Sequence, residues 1–184
     1  MAVTGDHLAA FGGSAFGGAS VSRVTFGGGG GAGDQSGNSN NTREMSGGTS
    51  GGLLLIRSGS VSGNGTVELR GAVANSNPLN DAAGGGAAGG SAVIISPNWT
   101  TGVLTVNAAG GQAGDAWLTG ATAHSGGGGG GGGVVVHSGA MTADVSGGTN
   151  GITNTGDTPL AVQTTAHCQA IAVSTRHFLK PQTR

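Results

Sequence analysis

This sequence predicts an all-β fold with no significant helix, assembled from about four glycine-rich repeats of two strands each. Three observations carry that expectation. Short apolar runs start at Leu53, Ala92 and Val134, 39 and 42 residues apart. Each run follows glycine and is followed by a segment that alternates apolar and polar residues. No 3.6-residue apolar period survives anywhere, and 43 glycines in 184 residues would penalise helix at about 1 kcal/mol apiece.

The elements follow in chain order. "SVSRVTFGG", from Ser20, sets Val24 and Phe26 against Arg23 and Thr25 and reads as the alternating strand of a truncated first unit. "LLLI", Leu53–Ile56, opens the first complete unit, "AVII", Ala92–Ile95, the second, and "VVVH", Val134–His137, the third. A continuous apolar run predicts burial on both faces. The alternating partners are "TVELRG" from Thr66, "VLTVNAAGG" from Val103 and "MTADVSGG" from Met141. Val67 and Leu69 share one face, as do Leu104, Val106 and Ala108, and Met141, Ala143 and Val145, so one face is buried and one exposed. "LAVQTTAHCQAIAVST", from Leu160, reads as a degenerate final pair. Between strands, "SGNGT" at Ser62–Thr66 holds Asn-Gly, a strong hairpin signal, and "SPNWTTG" at Ser96–Gly102 is a Pro-Asn loop. Asn-Gly favours antiparallel strands; a β-solenoid would run them in parallel, and a layered sheet with a polyglycine sandwich is the third arrangement. Three regions result: an N-terminal attachment segment at 1–19, the repeat domain at 20–175 and a C-terminal tail at 176–184.

The octaglycine Gly126–Gly133 enters "VVV" directly. Ordering one residue costs about 1–2 kcal/mol, and glycine is at the costly end. One reading makes the run a loose surface loop. The other makes it a place where main chains touch and no side chain fits. On the second reading, burial and contacts between chains offset the entropy, and the protein is a homo-oligomer.

Composition excludes several activities. Charged residues are 8% and net charge is −1, so the clustered positive charge that nucleic-acid binding draws on is missing. Only "RHFLKPQTR" at the end leans basic. No run of about 18 apolar residues exists to span a membrane. "MAVTGDHLAAFGGSAFGG" lacks the positive start and unbroken apolar stretch of a secretory signal. GxGxxG matches abound, but no helix follows any of them, which excludes a dinucleotide fold. Cys168 beside His167 is one cysteine with one histidine, too few ligands for zinc, and reads as a small buried hydrophobe.

The chemistry-bearing residues are sparse. Asp6, Asp34, Glu44, Glu68, Asp81, Asp115, Asp144 and Asp157 are scattered about one per unit, which suits loop capping better than paired acid–base work. "GGAGD" at Gly30–Asp34 and "GQAGDA" at Gly111–Ala116 distantly echo calcium-binding turns. His7, His124, His137, His167 and His177 share no ligand spacing. "NWT" at Asn98–Thr100 matches a glycosylation sequon. We therefore expect no catalytic, cofactor-binding or metal residues and no cofactor. Trp99 and Trp117, both in or near glycine-rich loops, are the candidate contact residues for a sugar or protein, with core or interface packing as the alternative.

Glycine runs bracketing "VVV" and "VII" strands, over about residues 20–150, resemble the glycine-rich structural proteins of tailed bacteriophages. These include tail-fibre tip adhesins built from packed polyglycine helices and minor virion proteins. The resemblance implies a virion location, reached by lysis without a secretion signal. The implied partners are other copies of the chain, other virion proteins and a host surface glycan or protein. It transfers no site residues. The expected role is a non-enzymatic structural or adhesive one in a tail, fibre or surface decoration. The alternatives are a subunit of an extracellular cellular filament or matrix, and a carbohydrate-active β-solenoid enzyme.

Overall fold

The computed structural model describes residues 12–13, 24–33, 46–75, 82–100, 102–117, 125–154, 159–160 and 173–174. Among these every regular element is a strand, and none is a helix. The first unit contributes β1 (Leu53–Arg57), β2 (Ser60–Val61) and β3 (Gly65–Glu68). The second contributes β4 (Ser91–Ile95), β5 (Asn98–Trp99) and β6 (Leu104–Asn107). After β7 (Ala116–Trp117), the third contributes β8 (Val134–His137) and β9 (Thr142–Asp144). Three short strands follow: β10 (Thr153–Asn154), β11 (Pro159–Leu160) and β12 (Val173–Ser174).

Pairing joins equivalent strands of successive units rather than neighbours within a unit. The sheet orders are β1-β4-β8-β12, β3-β6-β9, β2-β5 and β11-β10-β7. All pairs are parallel except β10 with β11. Ranks of side chains follow from the register. Leu54, Ala92 and Val135 stand abreast in one sheet, and Val67, Val106 and Ala143 in another. These two ranks meet in the core, where Ala92, Ile94, Val106, Ala108 and Val135 are buried and Val67, Leu69, Leu104, Met141 and Val145 pack around them. The alternation of the second strand type reads out as expected in β3 and β9, with Thr66, Glu68, Thr142 and Asp144 exposed on the far side, but not in the central β6, where Thr105 is half-buried and Asn107 is buried with its Oδ1 accepting the Ala109 N–H at 3.3 Å.

Several expectations are corrected. Asn64-Gly65 makes no hairpin. Its turn carries Gly63 at φ +94°, in the left-handed region that glycine enters at no steric cost, but the strands on either side lie in different sheets and bond to the next unit. The unit is not simply two strands, because β5 forms within the Ser96–Gly102 segment expected to be a loop and β2 forms just before the Ser62–Thr66 turn. Burial of the apolar runs on both faces holds for β8 and fails for β1: Val136 is 1% exposed, whereas Leu55 is 62% exposed. The two residues stand in the same rank through Val93, so the outer face is covered at one end of the sheet and open at the other. Residues 24–26 form no strand, and Ser20–Arg23 lie outside the described residues. Of the final pair, 161–172, with His167 and Cys168, also lie outside them, as does the tail at 176–184.

The glycine-rich segments pack main chain to main chain. Segment 82–90 is buried throughout and has six neighbours. The N–H groups of Gly85 and Ala88 bond to Gly31 and Gly28, those of Gly86 and Gly89 to Gly128 and Gly131, and those of Ala87 and Gly90 to Ala72 and Leu69. The carbonyls of Gly85 and Ala88 accept from Gly48 and Gly51, those of Gly84 and Ala87 from Gly114 and Gly111, and that of Gly86 from Gly13. The partner repeats every third residue. That is the period of an extended helix with three residues per turn, which has no internal hydrogen bonds and points its groups outward in three directions.

Gly126–Gly133 obeys the same rule and is entirely buried. Gly127, Gly130 and Gly133 donate to Gly114, Gly111 and Ala108, while Gly148 and Gly151 donate to Gly130 and Gly127. Gly129 donates to the side-chain oxygen of Asn150 at 2.8 Å. Gly130 shows why no larger residue fits, since a Cβ there would collide with the Ala87 carbonyl. A buried amide left unbonded would cost about 1–3 kcal/mol, so the lattice of bonds is what makes an interior without side chains tenable.

Candidate functional site

The glycine segments lead into one end of the strands, and the connecting residues 58–64, 96–100 and 138–140 stand at the other. Among the described residues this rim carries Trp99, Ser96, Ser138 and, at the end of β1, Arg57. Trp99 is half-buried and packs against the core cluster. Its Nε1 donates to the Ser96 carbonyl at 3.2 Å and to Ser138 Oγ at 3.1 Å. Ser138 Oγ in turn donates to the Ser96 carbonyl at 2.8 Å and accepts from the Ser96 N–H at 2.9 Å. The indole lies on Gly139, where a Cβ would fall against the ring. Trp99 thus closes the interior between the second and third units while one edge lines a cleft of about 380 Å³ with Pro97, Ser138, Gly139 and Ala140.

A second cleft of about 480 Å³ lies across Pro97 and is lined by Arg57, Ser58, Gly59 and Ile95. Arg57 ends β1 on the face turned away from Leu54 and Ile56, level with Ile95 of the neighbouring strand. Its place at the cleft was not singled out in the sequence. The one available signal was a charge closing an apolar run just before a serine-glycine turn. Trp117 enters the structure through the backbone pairing of β7 with β10, opposite Asn154; the structure does not bring it into the Trp99 rim.

The described acids hold separate posts. Asp115 Oδ1 accepts the Ile152 N–H at 2.9 Å, Asp144 Oδ1 accepts the Ser146 N–H at 3.0 Å, and Glu68 pairs with Arg70 at 3.4 Å on the surface. The Ser146 backbone N–H, then its side chain, and more weakly the Arg70 charge hold the Asp144 carboxyl below the usual carboxylate range against a small opposing effect of burial. Asp6, Asp34, Glu44, Asp81 and Asp157, and His7, His124 and His177, lie outside the described residues. His137 Nδ1 meets the Gly139 carbonyl. Among the described residues no three His, Cys, Asp or Glu side chains come together to hold a metal ion, and no helix is long and apolar enough to cross a membrane. No protein-family model, curated protein or solved structure matches the chain.

Proposed function

We propose that the chain is a non-enzymatic structural and adhesive component of a bacteriophage virion, built as a polyglycine sandwich that carries stacked β-units. The observation that carries this reading is the ring of six main-chain neighbours around residues 82–90. Such a bundle is stiff because each segment is bonded in several directions at once. It presents few long side chains, and it holds the turn rim at a fixed distance from its base, which is what a tip or decoration element needs. Low charge and small side chains suit close packing of subunits into a homo-oligomer and against other virion proteins. The described acids support the non-enzymatic part, since each is engaged in a separate hydrogen bond or surface ion pair.

The test is made on particles. Purified virions from lysates of the producing host are probed with antibody to this chain by immunogold microscopy and by peptide mass spectrometry. Label at one consistent site on the particle is the expected result. Its absence from particles that contain their full complement of structural proteins overturns the proposal. Label on cell-attached fibres instead supports the filament alternative.

A further inference from the structure

Of the two clefts at the turn rim, the larger is lined by a charged group, Arg57. Among the described residues no ion pair or hydrogen bond engages the Arg57 guanidinium, whereas Arg70 is paired with Glu68. Arg57 stands over an apolar floor made by Ile95 and Pro97. The cleft walls are held by bonds that do not involve it. The Ser58 N–H bonds to the Ile95 carbonyl at 3.1 Å. Ser58 Oγ bonds to the Ser60 carbonyl at 2.6 Å, and Asn98 Nδ2 to the Gly59 carbonyl at 3.0 Å. The site is therefore organised before any ligand arrives, which lowers the entropic cost of binding.

We propose that this rim binds an acidic saccharide, with Arg57 taking the sugar carboxylate and the Ile95–Pro97 floor taking the C–H face of the ring. The planar guanidinium matches a carboxylate in a two-point fork. Both clefts, about 480 and 380 Å³, fall in the roughly 300–1,000 Å³ range of small-molecule sites. They meet at Pro97, so two consecutive units of a polymer could lie in them, the second against the edge of Trp99. That adjacency favours a repeating saccharide over an acidic peptide, whose side chains would alternate in direction. The inference rests on the adhesive reading above and names its ligand class.

The experiment is an amide-resolved NMR titration of the full chain with a glucuronate-containing disaccharide. A neutral disaccharide of the same linkage, a Glu-rich peptide and inorganic phosphate serve as comparisons. Perturbation confined to residues near 57–59 and 95–99, by the uronate sugar and not by its neutral counterpart, is expected. Arg57→Ala should weaken that binding about tenfold and Arg57→Lys less, with peaks elsewhere unmoved as the sign of an intact fold. No perturbation, an equal response to the neutral sugar, or a stronger response to the peptide or to phosphate overturns the inference. Particle incorporation is scored separately. A virion chain that ignores uronate refutes only this ligand, and a uronate-binding chain absent from particles refutes only the virion role.

Discussion

In the paired sheets, Ile94, Val106 and Val135 exclude water with branched side chains, whereas around residues 82–90 the neighbouring main chains themselves do so. The two regions share one chain, yet they obey different packing rules. A side-chain core can absorb a lost methylene by small rotamer shifts. A core built of main chain and alanine methyls has almost no rotamers to shift, and most of the atoms nearest its glycines belong to backbone. The same contrast explains why alanine is the largest apolar residue in 82–90 while valine and isoleucine begin immediately afterwards at Val93.

The sharpest way to break this contrast is Gly111→Ala. A Cβ there would collide with the Ala72 carbonyl, so the variant should lose about 3 kcal/mol or more in chemical denaturation. Gly59→Ala, where nothing lies within 4 Å of the added carbon, should stay within about 0.5 kcal/mol. Equal effects at the two sites would mean that the glycine segments are loosely packed. Next in size is Trp99→Phe, which removes the donor shared by Ser96 and Ser138. It should cost about 2 kcal/mol in the same assay, and hydrogen exchange should rise at the turn rim. Ile94→Val, in the side-chain core, should cost only about 1 kcal/mol. A larger loss there than at Gly111 would reverse the proposed order of tolerance.

The smallest effect concerns acid. Asp144 has a folded-state pKa below its ordinary value. Its contribution is therefore complete above the unfolded value of about 3.9 and is lost as pH falls through the lowered folded value. Because the carboxylate is exposed, that contribution is less than about 0.5 kcal/mol. Comparing denaturation midpoints of the parent and Asp144→Asn at pH 7 and pH 2 checks it: the difference should be present at the higher pH and vanish at the lower.

Different parts of this molecule were legible in the sequence to different degrees. Val67 and Leu69, Leu104 and Val106, and Met141 and Ala143 reported their inward face directly, because side chains alternate along any strand whatever it pairs with. Asn64-Gly65 misled for the complementary reason. A turn signal states that the chain bends and says nothing of which strand comes back beside it. The exposure of Leu55 was hidden because it depends on what covers the outer face at β1, many residues away in sequence. The rarity of aromatic residues draws attention to Trp99, but its commitment to Ser96, Ser138 and Gly139 depends on a contact across 39 residues. Arg57 was passed over, since an isolated arginine at a strand end carries no pattern of its own.

Strand content, absence of helical periodicity and the inward residues of β3, β6 and β9 were determined by the sequence alone, through local backbone preference and two-residue alternation. Parallel pairing, the burial of the octaglycine and the assembly of the turn rim were decided by tertiary structure. A glycine run is locally indifferent between loop and core: it has no side chain to declare an inside. Only when other segments arrive with donors and acceptors every third residue does its main chain acquire partners and become interior.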